Sequence, residues 1–343
     1  MRSAFITGLA GFRLGAAERE FLNEARPAGL ILFSRNCASP DEIRRLVADA
    51  VAAIGADDVL VLIDQEGGRV QRLRPPLGRN LPSARAFGEL YETGADPAVA
   101  AGRLIFRLLA EDLRGLGINC DCAPVLDIPV PGADGIIGDR AYSVTPGAVI
   151  ALGRAVCQGL MAGGVVPVIK HIPGHGRAGC DSHLALPVVD ACLADLRSSD
   201  FAPFQALADM PAAMTAHVVY SAIDAQAPAT TSQATIGGII RDEIGFSGLL
   251  MSDDLSMKAL SGPIEKRAAE AIAAGCDVVL HCNGDIDEMR AAAAGSPALQ
   301  GEALARFNAA FSVTRAQVDF DAEEAVRVLE RILAGGRAEI PEV

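Results

Sequence analysis

Residues 165–176 read Val165-Val166-Pro167-Val168-Ile169-Lys170-His171-Ile172-Pro173-Gly174-His175-Gly176. An apolar run without polar alternation gives way to a cation, imidazoles and glycines. Such a run reads as a strand buried on both faces, the habit of parallel sheets. The same grammar recurs at 4–9, 30–33, 59–63, 120–126, 212–218, 248–251 and 278–280, which makes eight candidate strands with 165–169. Helical periodicity fills the gaps. Ser39-Pro40-Asp41-Glu42 is a capping box with proline in the first turn, and Ile43, Leu46, Val47, Val51 and Ile54 then share one face. Asp96-Pro97 and Thr145-Pro146 open two further helices. Eight β/α units in succession predict an α/β fold, a single closed (β/α)8 barrel rather than an open doubly wound sheet. No G-x-G-x-x-G follows a strand, which weakens a dinucleotide reading.

Polar residues stand where the strands end. Asp64, Asp127, Lys170, His217, Asp253 and His281 each follow an apolar run. In a TIM-type barrel those ends converge on one rim, where active sites lie, and all six are expected there. The connections 66–94, 128–145 and 171–187 are long, and long ordered loops in compact domains usually carry function. One domain is expected over 1–343. Within it, 299–343 forms extra C-terminal packing helices, at 299–318 and 322–333, and a tail.

Composition narrows the partners. Half the residues are apolar and 21% are charged, the balance of a globular chain rather than a disordered one. Asp and Glu outnumber Lys and Arg, 43 to 30, for a net charge of −13. That sign disfavours nucleic acid and anionic membrane as partners. With 12 Phe, 3 Tyr and no Trp, a cleft that grips long sugar chains by stacking is not expected. The apolar stretch at 4–9 is too short for a signal peptide and reads as the first strand. The window 148–169, interrupted by Arg154, Gln158 and glycines, reads as helix plus strand rather than a membrane span. The 8 cysteines are scattered with no C-x-x-C pair, so reduced thiols and a cytoplasmic location are expected.

Four segments concentrate reactive side chains. Lys170 to Gly176, followed by Asp181-Ser182-His183, holds three of the 5 histidines. The others are Met251-Ser252-Asp253-Asp254-Leu255-Ser256-Met257, Asp64-Gln65-Glu66-Gly67-Gly68-Arg69-Val70-Gln71-Arg72 and Ile137-Gly138-Asp139-Arg140-Ala141-Tyr142. Together they resemble glycoside hydrolase family 3, and within it the single-domain β-N-acetylglucosaminidases. The resemblance spans nearly the whole chain. K-H-x-P-G-H-G with a downstream D-S-H is its most specific motif, and all four segments stand in the family's order.

The resemblance implies roles, and the chemistry of each residue fits. Asp253 matches the nucleophile, because retention at an anomeric carbon needs a carboxylate that forms a covalent glycosyl-enzyme. Asp254 is left as a cap for the segment that follows. His183 matches a histidine that replaces the usual second carboxylic acid, and Asp181 matches its partner. Imidazole titrates near neutrality, so it can protonate a leaving oxygen and later deprotonate water. The glycine-containing loop that carries both is expected to close over substrate. Asp64, Arg72, Arg140, Lys170 and His171 match positions that hold the non-reducing sugar. His175 reads as an orienting group. Arg177 and Cys180 depart from the family's commoner pattern, which bears on loop dynamics and pH optimum.

The implied reaction removes terminal β-N-acetylglucosamine from muropeptide fragments, N-acetylglucosaminyl-1,6-anhydro-N-acetylmuramic acid with or without peptide. That is cytoplasmic cell-wall recycling. No metal and no organic cofactor is expected. The partner is this small-molecule sugar, not nucleic acid and not a membrane, and a monomer is the expected form. Two other enzyme readings stay open. In one, phosphate replaces water as acceptor, since a histidine does not repel it as a carboxylate would. In the other, zinc is held by His171, His175, Cys180, Asp181 and His183, although Pro173 and Gly174 exclude a helical pair of ligands. A sugar-binding barrel without catalysis is the non-enzyme alternative. Glucosidase-type members usually carry a further domain with a carboxylate acid/base, which is not expected here.

Overall fold

The computed structural model describes residues 2–316 and 319–334. Parallel strands close into a barrel: β1 Ser3–Gly8, β2 Pro27–Leu32, β3 Leu60–Ile63, β4 Cys120–Asp121, β5 Val166–Ile172, β6 Ala212–Thr215, β7 Leu249–Asp254 and β8 Val278–His281. They pair in chain order, and β8 returns to β1 through Phe5–Val279, Ile6–Leu280 and Thr7–His281. Every expected strand is present.

Side chains alternate as the pleat requires. Ile6, Ile31, Leu62, Val168, Met214, Met251 and Leu280 share the inner core. Phe5, Leu30, Val61, Ile169, Ala213, Leu250 and Val279 belong to the outer core, shared with the helices. The helix Pro40–Ile54 shows how the sequence sets that layer. Ser39 Oγ accepts the Glu42 N–H at 3.3 Å, and Gly55 ends the helix at φ 67°, where a β-carbon is disfavoured. Such an N-cap contributes about 1 kcal/mol. Ile43, Leu46, Val47, Ala50 and Ile54 are buried beneath it.

Two boundaries differ from expectation in ways that shape the site. The regular ladder of 120–126 stops at Asp121, because Pro124 has no N–H to extend it. The chain stays in place, with Cys122 N–H donating to Ile63 O at 2.8 Å and Leu126 N–H to Lys170 O at 2.7 Å. β5 runs on to Ile172, and its register against β6 shifts between Lys170 and Ile172. Consecutive strand residues normally face opposite ways; at this irregularity Lys170 and His171 both line one cavity.

The terminal section closes the opposite end. Leu299, Phe307 and Ala310 of the segment around helix Gly301–Ser312 join the inner core. Arg306 fastens the region to Asp277, just before β8, at 3.0 Å, and Asp277 also holds Arg241 of the 234–243 helix at 2.8 Å. Helix Ala322–Leu333 lays Ala325, Val328 and Ile332 on Ala100, Leu104 and Leu108. The expected helix 299–318 is shorter, Gly301–Ser312 with a 3-10 turn at Val313–Arg315. Residues 317–318 and the expected tail from 335 lie outside the described residues. The window 148–169 divides into helix Pro146–Ala162 and β5. Among the described residues, no helix is long and apolar enough to cross a membrane.

Candidate active site

The C-terminal strand ends surround a cavity of about 410 Å³. Asp64, Arg72, Arg140, Lys170, His171, His183 and Asp253 all line it. Residues far apart in sequence, singled out for sugar binding and for chemistry, therefore meet in one place. Asp181 completes the set as the hydrogen-bond partner of His183.

The floor is a chain of alternating charges. Arg72 Nη2 lies 2.8 Å from Asp64 Oδ2, and Lys170 Nζ lies 2.9 Å from Asp64 Oδ1. The same Nζ lies 2.7 Å from Glu66 Oε1, and Arg140 grips both Glu66 oxygens at 2.8 Å. Burial alone would raise both carboxyl pKa values. Lys170 and Arg72 instead hold Asp64 well below the usual carboxylate range, and Arg140 with Lys170 brings Glu66 to about 2. Burial opposes the charge on Lys170, yet Asp64 and Glu66 push its pKa up. Three cations share two carboxylates, so the floor keeps positive charge and free donor capacity for a polar ligand.

Asp127 organises the turn after β5. Its Oδ2 accepts from His171 Nδ1 at 2.6 Å, and its Oδ1 accepts the N–H of His175 at 2.6 Å. Burial opposes its ionisation, but His171 and His175 lower its pKa. With Nδ1 engaged, the other ring nitrogen of His171 is left for a ligand. Gly176 is required beside this turn: a β-carbon there would stand 1.9 Å from the Ile128 carbonyl oxygen.

Asp253 is the penultimate residue of β7, half-buried. The Asp254 N–H donates to its Oδ1 at 2.8 Å. Burial would raise its pKa, while His217, His171, that N–H and Lys170 lower it. His217 is fully buried, with Nε2 3.0 Å from the Asp254 carbonyl and Nδ1 2.7 Å from Thr230 Oγ1. Burial lowers its pKa, and the ring braces the β7 end from behind. The Asp254 carboxylate holds the following turn through the Ser256 and Cys282 N–H groups at 3.0 and 3.1 Å.

The remaining wall is the loop after β5. Asp181 Oδ1 accepts both the N–H and the Nδ1–H of His183, each at 2.8 Å. Burial would raise the Asp181 pKa slightly, and His183 lowers it. Ser182 turns the other way: it is buried, hydrogen-bonded to His175 Nε2 at 3.1 Å, and its carbonyl accepts the Ala259 N–H at 3.2 Å. Burial takes the His175 pKa down to about 4, which favours the neutral ring. Arg177 ties the loop to Asp200 at 2.7 Å and Ser199 at 2.9 Å. Cys180 is a half-buried free thiol.

Of the six strand-end residues expected on the rim, Asp64, Lys170 and Asp253 line the cavity, Asp127 and His217 stand behind it against His171 and Asp254, and His281 departs. His281 is buried and bonded to Glu288 at 3.0 Å, not to the cavity. It stands two residues after Val279 and shares its outward face. Glu66 was missed as a functional position. Its signal is a glutamate between the strand-end Asp64 and three arginine or lysine positions of the same rim. Among the described residues, no three His, Cys, Asp or Glu gather as a metal-holding group.

Similar proteins share this architecture. The family model described as Glycosyl hydrolase family 3 N terminal domain matches residues 6–317. A beta-hexosaminidase from Alkalilimnicola ehrlichii is 43% identical over 280 residues, 80% of this chain and 79% of its own. A beta-hexosaminidase from Chromobacterium violaceum is 40% identical over 302 residues, 86% and 84% of the two chains. Native NagZ from Neisseria gonorrhoeae superposes with a TM-score of 0.84 at 33% identity, over 97% of this chain and 96% of that one. NagZ from the same organism, in complex with N-trifluoroacetyl-D-glucosamine, gives 0.85 at 33% identity, over 96% and 98%. The chain belongs to glycosyl hydrolase family 3 and is a glycoside hydrolase of the β-hexosaminidase kind.

Proposed function

We propose that the chain is a retaining β-N-acetylglucosaminidase that removes terminal non-reducing N-acetylglucosamine from peptidoglycan fragments. The observation that carries this reading is the pairing of His183 with Asp181 at the wall of a cavity that also exposes Asp253. Asp64, Arg72, Arg140, Lys170 and His171 hold the sugar hydroxyls. Asp253 attacks the anomeric carbon while imidazolium His183 gives its Nε2 proton to the departing oxygen. The bond to the leaving group breaks as the glycosyl-enzyme ester forms. Neutral His183 then takes a proton from water, the water oxygen attacks the same carbon, and Asp253 leaves as carboxylate. Two inversions give retention. Asp181 stabilises the imidazolium and fixes the tautomer that exposes Nε2, as an aspartate does in a hydrolase triad. Between steps the loop carrying His183 opens and closes over the sugar.

The substrate is N-acetylglucosaminyl-1,6-anhydro-N-acetylmuramic acid with or without peptide, in cytoplasmic cell-wall recycling. Support comes from the N-trifluoroacetyl-D-glucosamine complex of a similar protein, and from the chain's free thiols. Product analysis with this disaccharide, with and without phosphate, tests the reading. Free N-acetylglucosamine at high phosphate is the expected product. Sugar 1-phosphate would make the chain a phosphorylase, and no product would leave a binding barrel.

A further inference from the structure

Arg35, Arg69, Arg72, Arg140 and Lys170 are the Arg and Lys side chains lining the cavity. Four of them have carboxylate partners: Asp64 for Arg72, Asp64 and Glu66 for Lys170, Glu66 for Arg140, and Asp139 at 2.8 Å for Arg69. Arg35 has no carboxylate partner among the described residues; carbonyls hold it instead.

The Arg35 guanidinium is nonetheless fixed. Nε donates to the Leu9 carbonyl at 2.8 Å, Nη2 donates to the Cys282 carbonyl, and the Phe33 ring centre lies 4.9 Å from its central carbon. Those contacts use one edge of the fork. The end-on edge, with hydrogens from Nη1 and Nη2, has no partner among the described residues. A carboxylate fits such an edge through two parallel hydrogen bonds. Nearby acids are already engaged. Asp254 serves Ser256 and Cys282, and Glu18 accepts the Ala10 and Gly15 N–H groups at 2.9 and 3.0 Å. Arg72 stacks on the same Phe33 ring at 4.8 Å, which adds positive potential. Burial lowers the Arg35 pKa, a cost that an incoming anion offsets.

We propose that the end-on edge of Arg35 binds a carboxylate carried by the leaving group, at the cavity entrance. The assignment rests on the sugar-cleaving function above. Lys170 and His171, which hold the terminal sugar, are buried, whereas Arg35 is exposed. Arg35 therefore lies nearer the cavity mouth than the residues that hold the terminal sugar. The ligand class is a saccharide with a free acid group, such as a lactyl ether.

The test compares kcat/KM for N-acetylglucosaminyl-1,6-anhydro-N-acetylmuramic acid as the free acid and as its methyl ester. The wild-type enzyme is expected to prefer the acid by about tenfold, the worth of a charge-assisted hydrogen bond. Arg35→Gln should remove that preference by lowering the acid's value about tenfold more than the ester's. Arg35→Lys, which keeps charge without the fork, should restore part of it. Equal falls on both substrates would mean that Arg35 only braces Leu9 and Cys282, and would overturn the assignment. Should Arg35→Gln not fold, calorimetric titration of the wild type with 1,6-anhydro-N-acetylmuramic acid and its ester decides, and equal affinities overturn it. Wild-type enzyme that cleaves both substrates alike defeats the Arg35 assignment alone. Wild-type enzyme that cleaves neither defeats the functional reading, and this assignment with it.

Discussion

The floor and the loop wall of the cavity hold their charges differently. On the floor, the Lys170 and Glu66 side chains are 3% and 6% exposed, and Asp64 and Glu66 are each shared between two cations. On the loop, His183 is 61% exposed and leans on Asp181, two residues away. Breaking a buried network leaves an unpaired charge in a poor solvent. A pair formed within a surface loop moves as a unit at little cost. The contrast separates two tasks. In the proposed mechanism the floor fixes where the sugar sits, and the loop brings the proton carrier to it.

The largest expected effect lies between the two walls. Asp253→Ala should lower kcat on the order of 10⁴-fold with the fold intact by circular dichroism. Wild-type turnover in that variant would remove Asp253 from the chemistry. His183→Ala probes the loop. Its turnover should fall by about 10²- to 10⁴-fold with poor leaving groups and far less with a dinitrophenyl group, which departs without a proton. Its unfolding free energy should stay within about 0.5 kcal/mol of wild type, as for an exposed residue. Equal losses for both leaving groups would count against the acid role.

The floor should behave in the opposite way. Lys170→Met leaves Asp64 and Glu66 facing each other without their shared cation, and should cost about 3–5 kcal/mol in urea unfolding. A Lys170 variant as stable as the His183 variant would erase the distinction between the walls. The smallest effect is a pH dependence. Glu66 shifts from 4.5 down to about 2 on folding, so in acid the unfolded chain takes up this proton first. Its contribution to stability is full above about pH 4.5 and is lost as pH falls towards 2. Glu66→Gln should flatten that part of the stability curve. An unchanged acid slope would show that other carboxylates set it.

The barrel is legible in the sequence because its strands are apolar on both faces and its helices announce their starts, as Ser39-Pro40 does. The rim is legible because polar residues follow those runs. Partnership is not. Nothing in the D-Q-E-G-G-R spacing tells that Glu66 bridges Lys170 and Arg140, because that pairing forms only when the barrel closes. His281 was expected on the rim from position alone, and counting alternation back to Val279 turns it outward. The irregularity at which both Lys170 and His171 line the cavity has no signature in composition. The roles of Asp253 and His183 come from motif resemblance, since an aspartate at a strand end and a histidine in a loop carry no assignment by themselves. Arg177, a departure from the commoner motif, acquires a structural account only through Asp200 and Ser199.

The central claim is that His183, delivered by the loop, serves both halves of a covalent reaction at Asp253. The most direct measurement is peptide mass spectrometry of His183→Ala, quenched with acid after brief exposure to 2,4-dinitrophenyl N-acetyl-β-D-glucosaminide. The first step needs no proton for this leaving group, while the second lacks its base, so the intermediate accumulates. The expected result is an N-acetylhexosaminyl group on the peptide that contains Asp253. Release of dinitrophenol with Asp253 unmodified and no adduct on the protein would contradict it.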